Sequence, residues 1–247
     1  MQHKINQIIP KTIFITHGAP LPSYVLPKWK ILNPTFTIEC YNDQRCRAFL
    51  KAHFGPKFVH IFNSIPDGPI RADFWRVCIL YTYGGYYVDA DINPQVSFDS
   101  FVEPNVSFIT CLTNNTLMAR KDSYPNKWNP HLIGTTKDCP IMHKCIDIYM
   151  HFYAKQIYSY WGCSLVRVMG EALKDLSQNV LHQHKDGVYI YKKRTYQFLK
   201  ESNPNKDLST QHCFYNHRII LYDRYKTYDP QRHQWHLPRK SWMSPHH

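Results

Sequence analysis

Asp89 and Asp91 stand one residue apart at the end of the stretch 71–92, RADFWRVCILYTYGGYYVDADI. Alternate residues of a strand share a face and lie about 7 Å apart at Cα. Two carboxylates so placed repel each other, and an apolar strand is a costly place to leave them unpaired. One small divalent cation removes the repulsion. Mg²⁺ and Mn²⁺ prefer oxygen and commonly take one or two carboxylates, with phosphates and water completing the shell. The chemistry this offers is a metal-bridged diphosphate. A plainer arrangement stays open, in which one aspartate caps the next turn and the other pairs with an arginine such as Arg71. Upstream, Asp73 and Arg76 are three apart on a helical pattern and can reach one ligand, or form a surface ion pair.

The elements that carry these residues read as alternating strands and helices. Residues 8–16, IIPKTIFIT, read as a buried first strand, and 36–42, FTIECYN, as a second. Residues 43–54 read as a helix with Asp43 as N-cap, and 57–63, KFVHIFN, as a short third strand. PDGP at 66–69 opens a helix over about 70–83, in which Phe74, Val77, Cys78 and Tyr81 fall at core-facing spacing. Gly84-Gly85 stops it. In YYVDADI, Tyr87, Asp89 and Asp91 point to one side of a strand that Pro94 closes. Residues 140–158 and much of 164–176 are helical in pattern, and 186–198 reads as a hairpin. Alternation of this kind predicts an open, mostly parallel sheet flanked by helices, with ligands at the carboxyl ends of its strands.

The segment RADFWRxxxLYxYGGYYVDADI resembles the sugar-binding DXD region of glycosyltransferase family 32, and more distantly the glucosylating clostridial toxins. IIPKTIFITHG resembles that family's opening strand, and WKILNPTFTIECYND its Trp…Asn-Pro…Trp-x-Asp stretch. NPHLIGTTKDCPIMHKCID (129–147) is similar to the segment after DXD, and WHLPRKSW (235–242) to the closing His…Ser-Trp element. The resemblance implies an α/β fold of GT-A type, Rossmann-like and mostly parallel, in a single domain over 1–247. Residues 8–95 would form the nucleotide-sugar half and 96–247 the acceptor side with the closing segment. It implies retaining sugar transfer from a nucleotide-diphosphate sugar, a UDP-sugar ahead of GDP-mannose, to a glycan, lipid or protein acceptor.

The resemblance also implies roles. Asp91 ligates Mn²⁺ or Mg²⁺, Asp89 meets the ribose or the metal shell, and His236 approaches the metal and diphosphate. Asp73 and Arg76 hold sugar hydroxyls, and Asn129 sits near the donor sugar. Thr16 and His17 line the nucleotide, and Ser241 and Trp242 close over the diphosphate. Two positions depart from the family: His17 stands where relatives carry a base-stacking tryptophan, and Trp161-Gly162-Cys163 where many read Thr-Gly-Pro. Neither base preference nor acceptor identity therefore carries over.

Composition narrows the field. The chain has 247 residues, 43% hydrophobic and 15% aromatic, which supports a packed core and excludes global disorder. No apolar run reaches the roughly 18–20 residues needed to span a bilayer. The expectation is a chain soluble as given, in a bacterial cytoplasm or a virus-infected cell's cytoplasm, rather than an anchored Golgi resident. Eight cysteines without a CxxC pair read as mostly free thiols, and no cysteine pair has zinc spacing to complete four ligands with the histidine pairs His182/His184 and His233/His236.

Net charge is +12, with 12 Lys and Arg against 5 Asp and Glu from residue 183 onward. Such a surface attracts phosphates or an acidic membrane surface, and it keeps a nucleic-acid-binding reading open through Tyr191, Tyr196, Tyr215 and Tyr222. Carboxylates at the site oppose that reading, and no specific nucleic acid is expected. A metal-dependent phosphohydrolase would need further acids for a second metal; Asp99 and Glu103 are the nearest in sequence.

Overall fold

The structure is a computed structural model that describes residues 8–113, 128–155, 163–180, 185–202 and 212–222. Strands β1 (Thr12–Thr16), β2 (Thr37–Tyr41) and β3 (Gly85–Val88) pair in parallel, in the order β2-β1-β3. Strand–helix alternation produces this half. β6 (Trp128–Thr135) then inserts antiparallel between β3 and β5 (Val106–Leu112). β8 (Arg194–Ser202) lies parallel to β5 and carries β7 (Gly187–Tyr191) as the other arm of a hairpin. β9 (His212–Tyr215) and β10 (Arg218–Tyr222) continue the sheet to β4 (Asn93–Pro94). The sheet is thus parallel over β2-β1-β3 and mixed beyond it, where the β5–β8 pair is parallel and the other pairs are antiparallel.

Helices cover both faces. Strand residues Phe14, Tyr87, Phe108, Ile133 and Phe198 face a core built with α2 (Asp43–Phe54), α3 (Pro56–Ser64), α4 (Gly68–Tyr83), α5 (Pro140–Ala154) and α6 (Leu165–Ala172). Their neighbours Ile13, Ile15, Tyr86, Val88, Ile109, Cys111 and Leu199 face a second core, closed by Trp29 of α1 (Val25–Leu32) and by Phe98. A short α7 (Lys174–Val180) follows α6. The period-two alternation of side chains explains why one sheet serves two cores.

Four local readings are corrected. Residues 57–63 are helical, not a strand. Pro56 opens α3 at its first turn, and Phe58, Ile61, Phe62 and Ile65 make a helical stripe against the core. The N-cap of α2 is Asn42, whose side chain accepts from Arg45 N at 2.9 Å, so Asp43 is the first helical residue. β3 ends at Val88, and Asp89–Ile92 is a turn closed by Ile92 N to Asp89 O at 3.1 Å. Asp89 and Asp91 therefore lie on a turn beyond the strand, not on the strand. β1 also starts later than expected, at Thr12.

α4 follows its sequence closely. Asp67 caps it by accepting from Ile70 N at 3.0 Å, and Pro69 sits in its first turn. Gly84 ends it at φ +68°, where an added Cβ would come within 2.6 Å of Lys137 N. Glycine is required there by both conformation and space.

Candidate active site

The carboxyl ends of β1, β2 and β3 lie on one edge of the sheet, and α4 enters at that edge because it precedes β3. The edge carries Thr16, His17, Tyr41, Asp89 and Asp91. β6, running the other way, begins there with Trp128 and Asn129, and β8 ends there with Glu201 and Ser202.

Arg76 organises the centre. Its side chain is 5% exposed, and its Nη2 lies 3.0 Å from Asp73 Oδ1 and 3.0 Å from Asp89 Oδ1. Its Nη1 donates to Pro130 O at 2.8 Å, and its guanidinium stacks 4.1 Å from the Tyr87 ring centroid. Asp89 Oδ1 also accepts from Tyr87 hydroxyl at 3.0 Å, and Asp89 N donates to His131 O at 2.9 Å. Both side-chain bonds of Asp89 fall on Oδ1; among the described residues none falls on Oδ2, and the side chain is 33% exposed. One oxygen is anchored from beneath, and the other could accept a ligand. Asp91 follows on the turn, half-buried.

Asp73 is held from two directions. Oδ1 meets Arg76, and Oδ2 accepts from Leu165 N at 2.8 Å, the first residue of α6. Burial raises its pKa to about 6, against the lowering pull of Arg76 and the Leu165 amide. For Arg76 burial acts downward, but the carboxylates of Asp89 and Asp73 outweigh it and the guanidinium stays protonated. The open question about arginine partners is settled on these contacts: Asp89 pairs with Arg76, whereas Arg71 pairs with Asp43 at 2.8 Å.

Asn129 lies at the same edge, where its Nδ2 donates to Glu201 Oε1 at 2.8 Å and its Oδ1 accepts from His131 N at 3.2 Å. Glu201, His131 and Tyr87 were not expected at the site. The alternation of RTYQFLKES puts Gln197, Leu199 and Glu201 on one face, which is the signal for Glu201; nothing local marks His131. Thr16 Oγ1 and His17 N both donate to Tyr41 O at 3.0 Å, and His17 Nδ1 lies 2.6 Å from Ala19 O. Thr16 and His17 thus stand at the end of β1, on the same edge of the sheet as Asp89. His236, Ser241, Trp242, Trp161 and Gly162 lie outside the described residues.

Asp89 and Asp91 are hard oxygen donors at the mouth of a parallel sheet and fit Mg²⁺ or Mn²⁺. The uncommitted Oδ2 of Asp89 is the observation behind that fit. No helix among the described residues is long and apolar enough to cross a membrane.

The family described as glycosyltransferase sugar-binding region containing DXD motif matches residues 23–108. The family described as capsular polysaccharide synthesis protein matches 68–214, more than half of the chain. The chain belongs to the capsular polysaccharide synthesis protein family, and its residues 23–108 match the DXD-containing sugar-binding region of glycosyltransferases. Among curated relatives, inositol phosphoceramide mannosyltransferase 3 of Schizosaccharomyces pombe is 26% identical over 112 residues, 39% of this chain and 31% of that protein. Initiation-specific alpha-1,6-mannosyltransferase of the same yeast is 27% identical over 101 residues, 38% and 26% of the two chains. An uncharacterized glycosyltransferase of Acanthamoeba polyphaga mimivirus is 34% identical over 71 residues, 29% and 28%. The matched region spans about a third or less of each of these relatives. The solved PaToxG glycosyltransferase aligns with TM-score 0.51 and 16% identity over 70% of each chain, which shows the fold alone. The shared fold is a mixed α/β sheet flanked by helices, in keeping with the expected α/β class.

Proposed function

We propose that this glycosyltransferase family member is a metal-dependent, retaining enzyme that moves a sugar from a nucleotide-diphosphate sugar to a glycan, lipid or protein acceptor. The observation that carries the reading is the Asp89–Asp91 turn at the carboxyl end of β3, pinned through Asp89 Oδ1 by Arg76.

When bound, Mn²⁺ or Mg²⁺ supplies positive charge to the leaving diphosphate. The rest falls to the chain. Asp91 and Asp89 Oδ2 present oxygen to that charge, while Arg76 and Tyr87 fix the orientation of Asp89. Asp73 is fastened to Arg76 and the Leu165 amide, so its ring of contacts positions the wall against which sugar hydroxyls are read. Asn129, bridged to Glu201, orients on the same edge. Arg76 is 4% exposed, which supports a positioning part for it more than direct sugar contact. Thr16 and His17 stand where the nucleotide base would lie, and imidazole offers less stacking area than the tryptophan of relatives. No side chain is assigned as nucleophile; in same-face transfer the departing diphosphate assists the acceptor hydroxyl.

The names of the yeast relatives put mannose forward, so GDP-mannose joins the UDP-sugars as a first donor to test. Six of the eight cysteines are unbridged, which supports a reducing, cytoplasmic setting. The test is a panel of UDP-glucose, UDP-galactose, UDP-GlcNAc, UDP-xylose, GDP-mannose and GDP-fucose with Mn²⁺ or EDTA, read as nucleotide release. Release from one donor with Mn²⁺ and not with EDTA is the expected result. No release from any donor, with no metal-dependent nucleotide binding by calorimetry, overturns the reading.

A further inference from the structure

On the sheet face opposite α4, three potential ligands from three strands meet. Cys111 of β5, His131 of β6 and Cys213 of β9 are all buried, and their Sγ, nitrogen and Sγ atoms lie within 4.8 Å of one another. His131 Nε2 is 3.3 Å from Cys213 Sγ. The two sulfurs are at bonding distance, as a disulfide, with their Cα atoms 7.0 Å apart.

We infer that Cys111, His131 and Cys213 form a site for a zinc-class divalent cation. A disulfide explains two of the three residues; a Cys₂His donor set, with the two sulfurs standing apart as thiolates, explains all three. The Cα separation lies just past the range of about 4.4–6.8 Å that disulfides usually span, and a metal between the sulfurs lengthens the bridge. The remaining cysteines are unbridged, as expected where thiols stay reduced. On binding, each of the two thiols releases its proton to solvent, and two thiolates with a neutral imidazole balance the divalent charge.

A second observation points the same way. Glu201 is 3% exposed, and its Oε2 is buried without a hydrogen-bond partner, while Oε1 is held by Asn129. Glu201 is the strand position paired directly with Cys213, so both side chains leave the sheet on one face. A buried, unpartnered carboxylate oxygen is costly unless positive charge or a hydrogen-bond donor stands near it. The ligated cation is neutral as a unit, so what it offers Glu201 is a donor rather than charge: water in the metal's fourth position hydrogen-bonds Oε2. The register of β5 on β6 also shifts between Thr110 and Cys111, whose partners are Ile133 and Asn129, so the extra residues 130–132 lie on β6 and carry His131.

The consequence is a clamp. The site ties β5, β6 and β9 together beneath residues 129–131, whose carbonyls at Pro130 and His131 hold Arg76 and the Asp89 amide. It is distinct from the Asp89–Asp91 turn, whose oxygen donors suit a harder ion.

The full chain, purified without added metal or oxidant, is measured for zinc by elemental mass spectrometry and for thiols under denaturant without reductant. One zinc per chain with all eight cysteines titrating is expected. Six thiols and no zinc leave a plain disulfide and overturn the inference; eight thiols and no zinc overturn it as well. Cys213→Ser and His131→Ala are expected to lose most of the bound zinc, whereas Asp91→Asn keeps it, which separates this site from the DXD turn. Cobalt substitution reads the ligands directly: thiolate-to-cobalt charge-transfer absorption is expected in the wild type, and its absence counts against thiolate ligation.

Discussion

The guanidinium of Arg76 lies 3.0 Å from Oδ1 of Asp89, so the first aspartate of the DXD turn is fixed by a buried cation on α4 before any ligand arrives. Asp73 shares the same Nη2 atom from the other side. The turn is built on a charge arrangement that belongs to the fold.

Replacing Arg76 by alanine leaves Asp73 and Asp89 facing each other without their shared cation, and strands the Pro130 carbonyl. Breaking a buried pair from one side costs about 3–5 kcal/mol. Urea denaturation of Arg76→Ala is expected to show a loss of that size. A change within experimental error would mean that the arrangement contributes nothing to the folded state.

Asp91→Asn is expected to lower Mn²⁺-dependent donor turnover by more than about a hundredfold, because it removes an anionic ligand from the site where leaving-group charge develops. Circular dichroism and the melting temperature are expected to stay close to wild type, since Asp91 is half-buried on a turn. Near-normal turnover would remove Asp91 from the metal site.

Asp73 gives stability a pH signature. Its folded pKa, raised to about 6 mainly by burial, stands above the unfolded value of about 3.9. Between these values the folded chain binds more protons than the unfolded chain. Stability from this group therefore falls as pH rises from about 4 to 6 and stays reduced above that. Asp73→Asn is expected to flatten this component, measured as urea midpoints at pH 4.5 and 7, by about 1–3 kcal/mol. An unchanged slope in the variant would assign the pH dependence elsewhere.

Gly84→Ala places a Cβ 2.6 Å from Lys137 N and 2.8 Å from Thr135 O, at a φ of +68°. Both strain and collision with backbone follow, at a cost of about 1–3 kcal/mol or more. The measurement is the melting temperature of the variant. A rise would mean that the helix end relaxes freely, contrary to the close approach of 135–137.

Much of the site was legible because it is local. Asp67, Pro69 and Gly84 mark α4 at both ends, and Asp73 and Arg76 follow from helical spacing within it. Tyr87 and Asp89 do share a face, as alternation requires, and the hydroxyl–carboxylate bond shows it. Asp91 does not continue that face, because the chain turns at Asp89, where Ile92 N bonds back to Asp89 O. α3 was read as a strand because KFVHIFN mixes β-branched and aromatic residues; the 58, 61, 62, 65 stripe and Pro56 carry the stronger signal. The partners of Asn129 and of Cys213 are not legible at all. Glu201 and Cys111 reach them through sheet register across long stretches of chain, and no short pattern encodes that pairing.

β10 pairs Leu221 with Pro94 and Tyr222 with Asn93, and Gln95 N donates to Ile220 O. The residues directly after the DXD turn are therefore braced by the last strand of the described chain. On a ribosome, the nascent polypeptide makes the aspartates early and their brace late, and such distant pairing is slow to form. The turn stays incomplete until the 212–222 hairpin has emerged, so a half-synthesised chain holds the carboxylates of the site but not the architecture that aims them.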